Sequence, residues 1–341
     1  MRTLTGRIPK ALSRVALCLF LFSAANLVGQ TVPLRSLVLV IGAPGEPEYA
    51  EQFSNWAGMW KAGAAKGGLQ TYVIGQDQDR PDEDRSRLLT VLTNESAKPE
   101  GELWVVFIGH GTFDGRTANF NLRGPDLSSA DLAMALKPCR RPLVIIQCAS
   151  ASGPFLKALS APGRVVITAT RSGYEVNAAR FGGYLAQAIA APGADLDKDG
   201  QTSLLEAYLA ASHQVERFYK EQGRLQTEHA LLDDNGDGLG TPADWFQGVR
   251  AVKTAAGGRS VDGVRAHELF LVPDEAERQL APEARARRDE LEQQLRALRS
   301  RKDSMKEDDY YRQLEGILVE TARLYEGKRV GRNLTHPQHE N

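Results

Sequence analysis

Five short runs of apolar, β-branched character recur through the first half of the chain, at 37–41 (LVLVI), 71–74 (TYVI), 103–108 (LWVVFI), 143–147 (LVIIQ) and 164–169 (RVVITA). They lack the apolar–polar alternation of a strand with one wet face, so both faces of each must be covered, which is the situation of strands in a parallel sheet packed between helices. Segments of helical character fill the gaps, at 48–66, 82–96, 128–136 and 153–160. The fold class that follows is α/β, a mainly parallel sheet with helices on both faces. In such sheets ligands bind beyond the carboxyl ends of the strands, where loops converge and helix N-termini present free N–H groups.

Composition narrows the function classes. A chain of 341 residues, 42% hydrophobic, has the length for a sizeable core, and its 42 Lys+Arg against 43 Asp+Glu create no global basic field. A nucleic-acid partner is therefore not expected. Three cysteines without CxxC spacing make neither a disulfide scaffold nor a zinc site. Arg2, Arg7, Lys10 and Arg14 precede an apolar run from Val15 to Val28 containing Ser23, Ala24 and Ala25, the layout of a secretory signal peptide. The run is short of the ~20 residues that span a bilayer. The expectation is cleavage after residues 1–25, no stable membrane insertion afterwards, and an exported protein, periplasmic or extracellular. That cleavage removes Cys18 and leaves Cys139 and Cys148.

Two reactive residues fall at strand ends. His110 follows the third run in VVFIGHGTFDG, and Cys148 follows the fourth in VIIQCASASG. A histidine beside a cysteine can hold the nucleophilic thiolate and then protonate a leaving amine. Gly111 has no side chain to block a substrate carbonyl, so the backbone N–H groups of Gly111 and Cys148 are candidate oxyanion donors. Taken singly, a buried cysteine is ordinary core filling and a histidine beside glycine an ordinary turn residue. Their joint occurrence points to a hydrolase acting on a peptide or protein substrate. The strand at 143–147 separates Cys139 from Cys148 by more than a disulfide can bridge, so Cys148 is expected as a free thiol.

The order strand–HisGly, the acidic segment PDLSSADL, strand–Cys with a following SerGly, and RVVITATRSGYEVN resembles the legumain-like (haemoglobinase) cysteine peptidases of the caspase–haemoglobinase fold, over roughly residues 34–190. The resemblance implies His110 as catalytic histidine, Gly111 as its oxyanion neighbour and Cys148 as nucleophile. Ile146 stands where those enzymes carry an acid two residues before the nucleophile, so specificity for Asn is not implied. The turn CysAlaSerAlaSerGly is two residues longer than theirs, which brings Ser150 and Ser152 forward as alternative hydroxyl nucleophiles, and GlyAlaPro at 42–44 lacks the Asn that orients their histidine. A member of this fold without catalysis, serving as a calcium-binding scaffold or interaction module, is the alternative reading.

Two acidic loops follow. DLDKDGQTSLLE has Asp195, Asp197 and Asp199 at positions one, three and five of an EF-hand loop, Gly200 at six, the Gln201 carbonyl at seven, Ser203 at nine and Glu206 at twelve. Three carboxylates in five residues repel unless a cation sits between them, which points to Ca2+. A weaker second loop, DDNGDGLGTPAD, offers Asp233, Asn235, Asp237, the Leu239 carbonyl and Asp244, with Asp244 in place of the usual Glu.

From Glu275 onward, Leu291, Leu295, Leu298 and Met305 share one helical face, and Tyr311, Leu314, Leu318 and Tyr325 another. Ser304 and Glu307 have capping-box spacing, so the end of the chain reads as a helical hairpin, available for a partner or for self-association. The expected organisation is a signal peptide (1–25), an α/β catalytic domain (34–192), a calcium-binding segment (193–250), a Gly-rich linker (251–263) and the helical arm (264–330).

Overall fold

The computed structural model describes residues 35–76 and 80–326, so the expected signal peptide lies outside the described residues. The chain runs through β1 (Ser36–Ile41), α1 (Pro47–Lys66), β2 (Gln70–Ile74), α2 (Asp84–Ser96), β3 (Leu103–Ile108), β4 (Gly111–Phe113), β5 (Ala118–Phe120), β6 (Leu127–Ser128), α3 (Ser129–Leu136) and β7 (Leu143–Gln147). It continues through α4 (Gly153–Leu159), β8 (Arg164–Thr168), α5 (Phe181–Ala188), α6 (Leu204–Glu221), β9 (Leu231–Asp233), α7 (Val264–His267), α8 (Glu275–Gln279), α9 (Pro282–Ser300) and α10 (Glu307–Glu326). The main sheet has the order β2-β1-β3-β7-β8-β9, parallel except for β9, and β4, β5 and β6 form a small antiparallel sheet.

The five apolar runs are the five parallel strands. Alternate residues of each feed separate cores: Leu37, Leu39, Val106, Ile146 and Ile167 pack with α1, α5 and α6, whereas Val38, Val40, Val105, Phe107, Ile145 and Val166 pack with α2, α3 and α4. Both faces are thus apolar because each has its own helical layer.

The segment 193–250 is not a separate unit. Its strand β9 pairs antiparallel with β8, with Ile167 opposite Leu232, and α6 contributes Leu204, Tyr208 and Val215 to the main core. The linker is likewise engaged: Asp262 is buried and accepts hydrogen bonds from Asp234, Asn235 and Thr241. In the arm, α9 and α10 pack as the expected hairpin; on α10 Tyr310 is buried, and Leu314, Ile317, Thr321, Leu324 and Tyr325 are half-buried. Of the face expected from spacing, Leu314 and Tyr325 are half-buried, whereas Tyr311 and Leu318 are exposed. Ser304 does not cap α10: it ends a 3-10 turn and its hydroxyl donates to the Arg301 carbonyl, 2.8 Å away.

Candidate functional site

The loops after β1, β3, β7 and β8 meet at the carboxyl edge of the sheet, where His110 and Cys148 both lie. The register pairs Phe107 with Gln147, and the Cys148 N–H continues that ladder by donating to the Phe107 carbonyl at 3.0 Å. Cys148 is therefore level with Ile108, the last residue of β3, and His110 lies two residues further on in the loop.

Depth decides the chemistry of the thiol. Cys148 is 1% exposed and belongs to the core between the sheet and α1, α5 and α6, where it faces Gly182 of α5. Burial pushes its pKa up to about 12, the direction opposite to that of a reactive cysteine. His110 is half-buried, with its ring edge-on to Tyr49 at 4.5 Å and near Phe53 at 5.2 Å, both on α1. Burial lowers its pKa from the ordinary value, with the Pro44 carbonyl acting in the opposite direction.

Both expected oxyanion donors are already used. The Cys148 N–H is held by the strand ladder, and the Gly111 N–H donates to Ser150 Oγ at 3.3 Å while that hydroxyl donates back to the Gly111 carbonyl at 3.2 Å. The space above Gly111 is filled from within: an added Cβ would stand 2.4 Å from the Ser150 carbonyl oxygen. Close packing of β4 on the turn that carries Ser150 thus requires glycine here. The alternative nucleophiles are engaged as well, Ser150 with Gly111 and Ser152 with the Thr170 hydroxyl at 3.1 Å. The turn carrying them is held in an unusual conformation, with Ala151 at φ 54 and its N–H on the Glu175 carbonyl at 2.8 Å.

The acidic loops are built alike. In the first, Asp195 accepts from the N–H groups of Lys198 (2.6 Å) and Gly200 (3.1 Å), Asp197 from that of Asp199 (3.2 Å), and Asp199 from that of Gln201 (2.8 Å). In the second, Asp233 accepts from Gly236 (3.0 Å) and Gly238 (2.7 Å), Asn235 from Asp237 (2.8 Å), and Asp237 from Leu239 (2.9 Å). Positions one, three and five thus make the same bonds in both, and positions four and six have positive φ in both: Lys198 at 66 and Gly200 at 95, Gly236 at 80 and Gly238 at 73.

Carboxylate oxygens of Asp195, Asp197 and Asp199 lie within 4.8 Å of one another. Burial first, then the charges of Asp197, Glu206 and Asp195, pushes the Asp199 pKa up to about 6. The donor set, carboxylates plus a backbone carbonyl, is all hard oxygen and fits Ca2+.

Neither loop has the helix–loop–helix setting of an EF-hand. The first is entered from a 3-10 turn (Pro192–Ala194) and left by α6; the second is entered from β9 and left by a 3-10 turn (Ala243–Trp245). They do not pair with each other either: Ser203 bridges to Phe270, and Thr241 to Leu232. Glu206 is buried at the hollow of the first loop. Asp244 is not so placed: its side chain is 68% exposed and accepts from Lys253 Nζ at 2.6 Å.

His213 and His229, which carry no metal-type pattern in sequence, line a cavity of about 640 Å³ beside α6 with Phe181, Leu209, Val215 and Phe246. His229 Nδ1 is 2.7 Å from Glu175. Among the described residues no helix is long and apolar enough to cross a membrane.

The mostly parallel sheet with helices on both faces defines an α/β protein. No protein-family model matches the chain, and no curated protein matches it. Among solved structures it is similar to a Geobacter sulfurreducens protein (12% identity, 53% of this chain and 89% of that one, TM-score 0.36). It is also similar to caspase-1 from Spodoptera frugiperda (9%, 60% and 87%, TM-score 0.37) and the Drosophila initiator caspase Dronc (13%, 61% and 81%, TM-score 0.35). At such identities and TM-scores these likenesses carry none of the functional reading, which rests on the chain's own residues.

Proposed function

We propose that this protein is an exported, calcium-binding scaffold whose peptidase-like α/β core serves protein–protein contact and does not hydrolyse through Cys148. One contrast supports the reading. The candidate nucleophile is a buried thiol whose pKa burial pushes up to about 12, with its neighbouring N–H groups already bonded, whereas the first acidic loop brings three carboxylates within 4.8 Å of one another. Asp195, Asp197 and Asp199, the Gln201 carbonyl and Glu206 would hold Ca2+ there; the loop's one cation, Lys198, turns its Nζ to the Asp195 carbonyl at 2.6 Å and leaves the three carboxylates to the ion. The proteinaceous partner is the expected occupant of the C-terminal hairpin, which leaves Tyr311, Leu318 and Val319 exposed on α10.

The second reading is a cysteine peptidase of the legumain-like kind, with Cys148 as nucleophile and His110 as base and then acid. It is favoured by one observation, that both residues lie at the same edge of the sheet, Cys148 in the core beneath α1 and His110 against α1 rings. It requires the 148–152 turn to open. The two readings separate in one experiment, calorimetric titration of calcium alongside a fluorogenic peptide-library assay on the wild type and Cys148→Ala. The scaffold reading expects calcium binding and no thiol-dependent turnover; turnover lost in Cys148→Ala overturns it.

A further inference from the structure

Leu209, His213 and Glu216 follow one another at four and three residues on α6 and so share one face of the helix. This stripe runs from a buried leucine to an exposed histidine and glutamate, and it forms one wall of the cavity of about 640 Å³. That volume is within the range of ligand pockets, about 300–1,000 Å³.

The cavity also stands where an α/β sheet binds ligands. Ala169 directly follows β8, and Ala230 directly precedes β9, whose Leu231 is paired with Thr168, so both of these lining residues lie at the carboxyl edge of the parallel strands. Phe181, Leu209 and Val215, all buried, and the half-buried Phe246 make the apolar part of the lining. Neither Cys148 nor His110 belongs to it, nor does any described residue of the α9–α10 hairpin.

The charged groups on the lining are of one sign. They are Glu216, Glu228 and Asp244, and no lysine or arginine is among the described lining residues. Two of the acids are engaged: Glu228 accepts from the Arg180 and Phe181 N–H groups at 2.8 and 3.0 Å, and Asp244 accepts from Lys253 at 2.6 Å. Glu216 has no hydrogen-bond or ion-pair partner among the described residues.

His229 supplies a second acceptor. Its Nδ1 is 2.7 Å from Glu175, which does not line the cavity; a carboxylate can only accept there, so Nδ1 carries the proton and Nε2 is left as an acceptor. Among the described residues Nε2 has no partner. Glu175 is held in turn by the N–H groups of Arg171 at 3.0 Å and His229 at 3.2 Å, which fixes the ring. These acceptors do not gather round a metal ion: among the described residues, three or more His, Cys, Asp or Glu ligand atoms come within 4.8 Å of one another only at Asp195, Asp197 and Asp199. They suit an organic hydrogen-bond donor.

We propose that this cavity binds an ammonium or guanidinium group carried on an apolar body, with the body against Phe181, Leu209, Val215 and Phe246 and the cation donating to Glu216 and to His229 Nε2. An anion meets no cationic side chain on this lining, and a wholly apolar ligand leaves both acceptors unpaired. The same chemistry is offered by a small amphiphilic amine and by a basic residue next to an apolar one in a peptide. The inference goes beyond the scaffold reading and depends on neither calcium nor Cys148.

The test is an NMR titration of the full chain at pH 8 with n-hexylammonium, Nα-acetyl-Phe-Arg-amide and hexanoate. It follows the Cε1–H signals of His213 and His229, assigned with His213→Gln and His229→Gln. The expected result is a saturable shift of both signals with each cation and binding of hexanoate at least about tenfold weaker. Glu216→Gln, a change at an exposed side chain, leaves the melting temperature unaltered and weakens both cations at least about threefold. Ala210→Phe, which fills the cavity from α6, abolishes the shifts. The tighter of the two cations assigns the source, a small amine or a peptide segment. No saturable shift with either cation, equal binding of hexanoate, or full cation affinity in Glu216→Gln or Ala210→Phe overturns the proposal. Should Ala210→Phe not fold, Glu216→Gln and hexanoate decide.

Discussion

Cys148 packs directly against the backbone of Gly182: a Cβ added at residue 182 would stand 2.6 Å from Cys148 Cβ and 3.1 Å from its Sγ. Gly182→Ala is therefore expected to destabilise by about 1–3 kcal/mol through overpacking, net of the helix-propensity gain of alanine. Urea denaturation measures it, and unchanged or increased stability would mean that the thiol has room to leave the core.

The same burial governs reactivity. With its pKa pushed up to about 12, Cys148 is almost wholly protonated at pH 8 and shielded from reagent. Alkylation followed by mass mapping should modify the half-buried Cys139 in the native protein and Cys148 only after denaturant is added. Native labelling of Cys148 at a denatured-state rate would contradict the sealed site.

His110 is expected to titrate below the ordinary value of 6.5, because burial disfavours its charged form. A depressed histidine pKa contributes stability that is present above 6.5 and is lost as pH falls through the folded-state value. His110→Gln should flatten the fall in unfolding free energy below that pH, and an NMR titration gives the midpoint directly. A midpoint above the ordinary value would point to a carboxylate partner at the strand ends.

The first loop has two separable functions at its exit. Ser203 and Glu206 form a capping box on α6, so Ser203→Ala should cost about 1 kcal/mol even in chelator. Glu206→Gln preserves a capping-box residue type while removing a charge, so its main effect should be loss of the calcium-induced rise in melting temperature. Equal stabilisation of wild type and Glu206→Gln by calcium would remove Glu206 from the ligand set.

Gln147 ends β7 fully buried, on the face opposite Cys148, with neither amide atom hydrogen-bonded. Replacing it with leucine should be neutral or stabilising by up to ~1 kcal/mol, because an unsatisfied polar group is removed. Destabilisation beyond that, measured by denaturant midpoint, would reveal a partner for the amide.

The parallel strands were legible in sequence because Leu37 through Ile41 and Leu103 through Ile108 are short, β-branched runs apolar on both faces, the pattern of a doubly covered sheet. Strand β9 was not: Leu231–Asp233 is three residues long and shares its aspartate with an acidic loop. The strand-end rule located His110 and Cys148 at one edge but carries no information on depth, and Cys148 is 1% exposed there. The clustering of carboxylates in the first acidic loop was legible because Asp195, Asp197 and Asp199 are nearly contiguous. Asp262 was hidden in a stretch whose small residues read as linker, since a carboxylate brought to a loop by tertiary contact leaves no local spacing. On α10, Tyr310 and Tyr311 are equally good seam residues by composition, and only the packing against α9 chooses the first.

The central claim is that Cys148 performs no hydrolysis in a protein that binds calcium. The most direct measurement is turnover of a fluorogenic peptide library in saturating calcium by wild type and Cys148→Ala at equal, active-folded concentration. The account predicts the same background rate for both; turnover by wild type that disappears in Cys148→Ala and on thiol alkylation would contradict it.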